Sequence, residues 1–361
     1  MFHLWKCVSL LHVFAFLSHV VVACNPRTYL VMTNNLQAEH VPGNIRALNM
    51  SQFLVSYQAA TDDDSEVAHQ CKNRVMLVAK SGDLPSTMRT ACRAAGISLH
   101  SLKSEDPEFM EQIMNSELNP SAAVDVAFLY LWFWAEDASV PEVMLKELAF
   151  HSPSTTIVIV TDDVHHERAR QLVALQKTLT RPSPFPNKIV TPSRLTAAFE
   201  SSLYQQADAV VAVTEKDENS IRGLLSSTDA SSEAAAPSVH TVHMTETVAL
   251  PPMSAVALRD RSGFVFVGSA DSNPSNWLGV EWFVEHVLPN LESRFSGGGA
   301  FIPFYIVGGT AKACRQMQLT AGATTNVRMI CMPHMSAEAL GEVLMRARVL
   351  RNPASSPCAP F

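Results

Sequence analysis

Short apolar runs alternate with helical patterns along most of this chain, and that alternation limits the folds open to it. The apolar runs predict strands at Tyr29–Thr33, Val75–Ala79, Ile97–Leu102, Val124–Leu129, Thr156–Val160 and Ala209–Val213. The stretches between them predict helices at Ile45–Tyr57, Pro85–Ala95, Pro107–Asn115 and Val140–Phe150. Strands that alternate with helices form parallel sheets covered by helices. The sequence therefore predicts an α/β fold that begins with a doubly wound domain.

A second unit of the same kind is predicted beyond residue 250. Its strands are predicted at Phe264–Val267, Phe304–Val307 and Val327–Cys331, and its helices at Trp277–Leu291, Ala311–Ala321 and Ala337–Ala347. The low-complexity stretch SSTDASSEAAAPS at 226–238 indicates a surface insertion in the first unit. We therefore expect two tandem Rossmann-like domains, at residues 25–250 and 251–350, followed by a tail at 351–361.

The composition is that of a globular chain and excludes one class of partner. Of the 361 residues, 47% are hydrophobic and 17% are charged, as in proteins with a packed core. The formal net charge is −7, and the sequence has no dense lysine and arginine stripe interleaved with aromatic residues. A phosphate backbone needs such a positive surface. Nucleic acid is therefore not expected as a partner.

Residues 1–23 have the pattern of a targeting segment. One lysine precedes a long apolar run that ends in small residues at Val22 and Ala23, which is typical of a secretory signal peptide. The alternative is a signal anchor that contacts a membrane, although the run is shorter than the ~20 residues of a full span. Val21–Cys24 also fits a bacterial lipoprotein box, but the weakly basic start disfavours it. We expect a protein of the secretory pathway, in the endoplasmic reticulum or Golgi lumen, or an exported one.

The seven cysteines show no CxxC or other metal-binding spacing, so no metal is expected. In an oxidising lumen, Cys71 and Cys92 are a pair that could form a disulfide. Cys331 lies in an apolar run and is interpreted as an ordinary buried thiol. Asn49-Met50-Ser51 is a glycosylation sequon in a secreted chain.

Glycines follow several of the predicted strands. Gly268-Ser269, Gly308-Gly309 and the loop around Gly43 all lie at predicted strand ends. Glycine there lets backbone N–H groups approach a phosphate, and the next helix N-terminus favours its negative charge. The alternative is that these glycines only permit tight turns. None completes GxGxxG or precedes a P-loop lysine, which disfavours dehydrogenases and kinases.

A polar stretch, TDDVHHER, follows the strand TTIVIV directly. Carboxylates and imidazoles at the carboxyl end of a strand can hold hydroxyls and steer a proton. We interpret Asp163 and His165 as functional, and His166 and Glu167 as a polar helix start. The alternative makes an aspartate of this stretch a helix N-cap. Thr214, with Asp217 three residues later, has the spacing of a capping box.

With these pieces in order, the sequence resembles the glycosyltransferases of group 1, also called family 4, which have the two-domain GT-B fold. The resemblance is carried by FVGSADSNPSNWLGVEWFVEHVLPNL, FYIVGG and AEALGEVLMRARVL in the second unit. In the first unit TDDVHHERA is similar to a family segment in which Asp163, His165 and Arg168 match. Ala169 departs from the acidic residue usual there. QQADAVVAVTEKDENSIRGLL looks like the last strand and helix of the family's first domain.

The resemblance implies transfer of a sugar from a nucleotide-diphosphate sugar to a hydroxyl of a glycan, lipid or protein, with retention and without an obligatory metal or further cofactor. Gly268 and Ser269 would flank the diphosphate, and Gly308 and Gly309 would lie near the base. Many members carry arginine and lysine after the first strand of the second domain, and this loop has neither.

The end of the chain departs further from the family pattern. After Leu350 the family continues through a glycine-rich loop with a lysine and an acidic residue, whereas this chain has RNPASSPCAPF. We therefore expect an incomplete second domain and little transferase activity. One alternative is a noncatalytic glycan- or nucleotide-binding remnant. Another is a two-lobed sugar-binding protein, which the single linker predicted at residue 250 disfavours.

Overall fold

The structure is a computed structural model, and it describes residues 27–33, 42–57, 73–79, 86–101, 123–130, 139–161, 164–179, 196–227, 236–242, 257, 260–268, 274–295, 301–310, 315, 327–333, 335–347 and 349–351. The described residues group into two compact units. The first contains those up to His166 and those of 196–242, and the second contains those of 167–179 and from 257 onward. The boundary predicted at residue 250 lies outside the described residues and stays a prediction.

Within the described residues, the first unit contains a parallel sheet of seven strands in the order β3-β2-β1-β4-β5-β6-β7. The strands are β1 (Thr28–Thr33), β2 (Arg74–Ala79), β3 (Ile97–Ser101), β4 (Val126–Tyr130), β5 (Thr156–Thr161), β6 (Ala209–Ala212) and β7 (Ser238–Thr241). The order reverses beside β1, which makes a doubly wound sheet with its switch point between β1 and β4.

The helices of the first unit join successive strands. They are α1 (Pro42–Ser56), α2 (Ser86–Ala94), α3 (Ser139–His151), α4 (His165–Gln176), α5 (Ala197–Tyr204) and α6 (Glu215–Ser227). Helix α4 begins in the first unit, and from Glu167 onward it belongs to the second. The predicted helix Pro107–Asn115 lies outside the described residues.

The core of the first unit lies on both faces of its sheet. Successive residues of β1 alternate between faces, with Leu30 and Met32 in one buried cluster and Tyr29 and Val31 in the other. A strand buried on both faces reads as a continuous apolar run rather than as an alternating one. This is why the central strands were predictable from the sequence.

The second unit, as far as it is described, contains a parallel sheet of four strands in the order β10-β9-β8-β11. The strands are β8 (Phe264–Val267), β9 (Ile302–Val307), β10 (Val327–Met332) and the short β11 (Val349–Arg351). The helices are α7 (Pro274–Trp282), α8 (Leu288–Phe295) and α9 (Ala337–Arg346), with a π-helical segment at Phe283–Val287 between α7 and α8. Of the predicted helix Ala311–Ala321 only Arg315 is described.

The fold class predicted from the sequence, α/β with two Rossmann-like units in tandem, is confirmed. Nine predicted strands appear within two residues of their expected bounds. In the helix predicted at Trp277–Leu291, Val280 and Phe283 are buried in the core as expected, although a π-helical turn interrupts the α-helix. The edge strand β7 was not predicted, because its four residues follow the low-complexity stretch.

Two cysteine predictions are wrong. Cys92 is a free thiol buried on α2, and burial raises its pKa, so the proposed bridge to Cys71 does not form. Cys331 is disulfide-bonded and only partly buried, so it is not an ordinary buried thiol.

The side chain of Ser51 in the sequon is buried and donates to the Ala47 carbonyl oxygen at 2.8 Å.

Across the described ranges, no helix has the length and apolar character needed to cross a bilayer. Residues 1–23 lie outside those ranges, so the targeting segment stays a prediction.

Candidate functional site

The polar stretch after β5 leads into α4. His165 is the first residue of that helix and only 5% of it is exposed. Arg168 lies one turn further along α4 and is partly exposed. Asp163 lies outside the described residues. The functional roles of these three residues stay predictions.

A buried carboxylate caps the N-terminus of α4. Glu200 lies in the first turn of α5 and is 2% exposed. Its Oε1 accepts the backbone N–H of His165 at 2.8 Å, and its Oε2 accepts that of His166 at 2.9 Å. Oε2 also bonds Nδ1 of His166, and the Tyr204 hydroxyl donates to Oε1 at 3.4 Å. Glu200 thereby satisfies N–H groups that have no partner within their own helix.

The surroundings of Glu200 keep it ionised. Burial by itself raises the pKa of the Glu200 carboxyl group. The hydrogen bond with the His166 side chain, the charge of His165 and the two backbone N–H groups outweigh burial, so the pKa lies below its ordinary value of 4.5. At neutral pH the group is therefore a carboxylate that only accepts hydrogen bonds.

Sequence reasoning missed Glu200 as a member of this site. The available signal was one acidic residue in the otherwise apolar and small stretch AAFESSLY. A carboxylate rarely lies on the buried side of a helix unless it has a partner. That signal does not indicate which residues the carboxylate contacts, and these are His165 and His166, 34 to 35 residues earlier in the sequence.

His166 lies at a polar helix start, as predicted, and its ring also contacts a buried carboxylate. Its backbone lies in the first turn of α4, as predicted. Its ring, however, bonds the buried carboxylate, and 19% of its side chain is exposed. His166 therefore combines a fixed orientation with access to solvent.

Two glycines lie side by side at the carboxyl ends of β8 and β9. Val267 is opposite Val307 at the end of the ladder, and the Gly268 backbone N–H donates to the Val307 carbonyl at 2.9 Å. The Gly308 N–H donates to the Met332 carbonyl at 3.0 Å. Gly308 has a φ of 98°, a conformation that favours glycine. This φ shows that the turn after β9 itself requires glycine at position 308.

A side chain at position 268 would meet a nearby residue. A Cβ atom on Gly268 would lie 2.8 Å from Nδ2 of Asn276, which is closer than real Cβ contacts. Asn276 lies in the first turn of α7 and is buried. Glycine at 268 therefore lets the end of β8 pack closely against the N-terminal turn of α7.

The remaining predicted glycine positions are less defined. Gly309 follows Gly308 and is buried, whereas Ser269 lies outside the described residues. The prediction of a loop at Pro42-Gly43-Asn44 is wrong, because α1 begins at Pro42 and Gly43 lies in its first turn. Proline suits this first turn, since the N–H that it lacks has no partner within the helix. The predicted ligand contact of Gly43 stays a prediction.

In the described part of the chain, no group of three or more His, Cys, Asp and Glu residues has an arrangement that could hold a metal ion.

A shallow cleft of about 400 Å³ lies beside α6 and β7. The Glu218 carboxylate on its wall bonds the Thr241 hydroxyl and Arg222, and these bonds lower its pKa despite a small opposing effect of burial. Arg222 also donates to the Val239 carbonyl at 2.5 Å. These contacts fasten the edge strand to the helix. The helix cap predicted at Thr214 is confirmed, because the Asp217 backbone N–H donates to the Thr214 hydroxyl at 3.1 Å, and that hydroxyl donates to the Asp217 carboxylate at 2.6 Å.

Comparisons with known proteins give similarity to solved structures alone. No family model matches the chain, and no curated protein matches it.

Three of the similar solved structures have comparable scores. MurG of Acinetobacter baumannii is 12% identical, with a TM-score of 0.37, over 91% of this chain and 71% of that chain. UGT2 of Phytolacca americana, solved with UDP-2-fluoro-glucose and pterostilbene, is 11% identical with a TM-score of 0.39, over 90% and 76%. LpCGTa, solved with UDP, is 12% identical with a TM-score of 0.39, over 91% and 75%.

Proposed function

We propose that this chain is a glycosyltransferase of the GT-B type that transfers a sugar from a nucleotide-diphosphate sugar to an acceptor hydroxyl, with retention at the anomeric carbon. The motif resemblance to the group 1, or family 4, enzymes supports the reaction. The two parallel α/β units support the architecture. The acceptor is a hydroxyl of a glycan, a lipid or a protein.

The adjacent positions of Gly268 and Gly308 carry the proposal. Both end parallel neighbouring strands at the edge where open α/β sheets bind ligands. Neither residue has a side chain, so a diphosphate could approach the backbone closely, and α7 begins shortly after Gly268. In this proposal Gly268 and Ser269 flank the diphosphate, while Gly308 and Gly309 lie near the base. In this proposal the backbone N–H groups at the N-terminus of α7 supply the positive charge that meets the diphosphate, and no metal takes part.

The acceptor side of the proposal uses the start of α4. Asp163, His165 and Arg168 match the family segment that meets the acceptor. The imidazole of His165 would assist the reacting hydroxyl, since its charge changes near neutral pH.

A location in the secretory pathway belongs to the same proposal, with membrane contact through residues 1–23. The disulfide at Cys331 supports it, because such bonds persist mainly in oxidising compartments.

Replacing Gly268 with alanine tests the donor site. The new Cβ would displace Asn276 in the first turn of α7. We expect at least about a 10-fold weaker affinity for nucleotide diphosphates, because moving Asn276 shifts the N-terminal turn of α7, and a lost charge-assisted hydrogen bond there is worth about 1.5–3 kcal/mol. Isothermal titration with a panel of nucleotide-diphosphate sugars measures the change. Gly223→Ala is the matched control, because a Cβ there meets no atom within 4 Å. Equal affinities of the two variants would contradict the assignment of Gly268.

Replacing His165 with alanine tests the acceptor site. Loss of a positioned acid–base group typically lowers turnover by about 10² or more, and we expect that change, relative to the low turnover expected of the wild type, in release of nucleotide diphosphate in the presence of acceptor. The control is His151→Ala, which removes a histidine paired with Glu147 within α3. Turnover that stays at the wild-type value in His165→Ala would assign His165 to structure alone.

A further inference from the structure

The buried carboxylate of Glu200 holds both the backbone and the ring of His166. Oε1 accepts the backbone N–H of His165, and Oε2 accepts that of His166. Nδ1 of the His166 ring also bonds Oε2. These contacts join α4 to α5 across 34 residues of sequence. Because the carboxylate itself is 2% exposed, solvent does not compete for these bonds.

The chemistry of a carboxylate determines which ring nitrogen carries hydrogen. An ionised carboxyl group has no hydrogen to donate. Nδ1 of His166 must therefore be the donor in this contact, and in the neutral imidazole Nε2 is then the acceptor. The His166 side chain is 19% exposed, so part of it faces solvent.

We propose that Glu200 is a positioning residue that fixes His166 in its Nδ1–H tautomer and presents Nε2 as the hydrogen-bond acceptor for the substrate hydroxyl. The identity of that hydroxyl rests on the proposed transferase function, whereas the tautomer is a property of the folded chain. The inference adds His166 to the residues that contact the acceptor and assigns Glu200 an indirect role.

The tautomer is measured by ¹⁵N NMR of the full chain labelled at histidine, at a pH where the imidazoles are neutral. His166→Gln identifies the His166 resonances by their loss. In the wild type we expect Nδ1 to resonate as a protonated nitrogen and Nε2 as an unprotonated one. In Glu200→Leu, which removes both acceptor oxygens, we expect the Nδ1–H form to fall below half of the population.

The matched control is Glu167→Gln, which removes a carboxylate from the same turn of α4 and should leave the His166 tautomer unchanged. A wild-type His166 in the Nε2–H form would overturn the proposal without any variant. A tautomer that stays the same in a folded Glu200→Leu protein would also overturn it. Should that variant not fold, Glu200→Asp, which retains the carboxylate, must keep the Nδ1–H form.

A kinetic measurement separates this inference from the proposed function. With a donor that supports transfer, Glu200→Leu should lower kcat at least 10-fold with little change in the donor KM, as expected when an acceptor-side group is misoriented. Unchanged kcat would overturn the role of Nε2. If the wild type neither binds nor uses any nucleotide-diphosphate sugar, the proposed function fails, and the tautomer measurement still decides whether Glu200 positions His166.

Discussion

Replacing Gly263 with alanine is expected to remove most of the stability of the second unit. Gly263 precedes β8 with a φ of 79°, and a Cβ there would lie 1.9 Å from the carbonyl oxygen of Pro303 in β9. Backbone atoms of a neighbouring strand cannot move aside as a flexible side chain can. Left-handed backbone strain adds about 1–2 kcal/mol to this overlap. We expect a total loss above about 4 kcal/mol, which is comparable with the net stability of many domains.

Hydrogen exchange measures this loss strand by strand. Gly263→Ala should lose amide protection in β8 and β9 and retain it in β1 and β4 of the first unit. Gly223→Ala, on an open helical site, should keep the wild-type pattern and gain up to about 1 kcal/mol from helix propensity. Wild-type protection of β8 and β9 in Gly263→Ala would show that the strand end is not packed as described.

Replacing Glu200 with alanine is expected to lower the free energy of unfolding by about 3 kcal/mol. The change leaves two backbone N–H groups and the Nδ1 donor of His166 without their acceptor. Each buried donor without a partner costs about 1–3 kcal/mol, and the partial exposure of His166 reduces the sum. Denaturant titration measures the change. Glu142→Ala is the control, because this exposed glutamate pairs with Lys146 within α3 and should cost under about 0.5 kcal/mol.

The contribution of the Glu200 charge has a defined pH dependence. The pKa of Glu200 is lowered on folding, so the carboxylate stabilises the folded state above its ordinary pKa of 4.5. That contribution is lost as the pH falls through the folded-state pKa. The difference in unfolding free energy between the wild type and Glu200→Gln should therefore be largest above pH 4.5 and shrink in more acidic solution. A difference that grows toward acid would contradict the ionised state of Glu200.

The strands could be predicted because each leaves a local signal. Val75–Ala79 and Val126–Tyr130 are apolar throughout, since parallel strands inside a covered sheet are buried on both faces. The same local signal located Gly268 and Gly308 at strand ends. The edge strand Ser238–Thr241 is short and partly exposed, so its pattern does not stand out from the polar stretch before it.

The contacts of the candidate site could not be predicted in the same way. The pairing of Glu200 with the start of α4 depends on how two helices pack, and sequence periodicity carries no information on that. Cys331 has the neighbours of a buried strand residue, yet it is disulfide-bonded. Gly43 was expected in a loop after a predicted strand, but α1 begins at Pro42 and already includes Gly43. These contacts and this helix start therefore depend on more of the chain than the few neighbouring residues from which a local sequence pattern is taken.

Equilibrium titration of the chain with nucleotide diphosphates and their sugar conjugates tests the central claim most directly. We expect saturable binding at one site per chain for at least one donor, with a Kd within the about 1 μM–1 mM range of ordinary substrates. The matching nucleoside without its diphosphate should bind at least 10-fold more weakly, because the backbone N–H groups at the start of α7 are proposed to hold the phosphates. Binding of the nucleoside as tight as that of the diphosphate, or no binding by any donor, would contradict the proposed glycosyltransferase function.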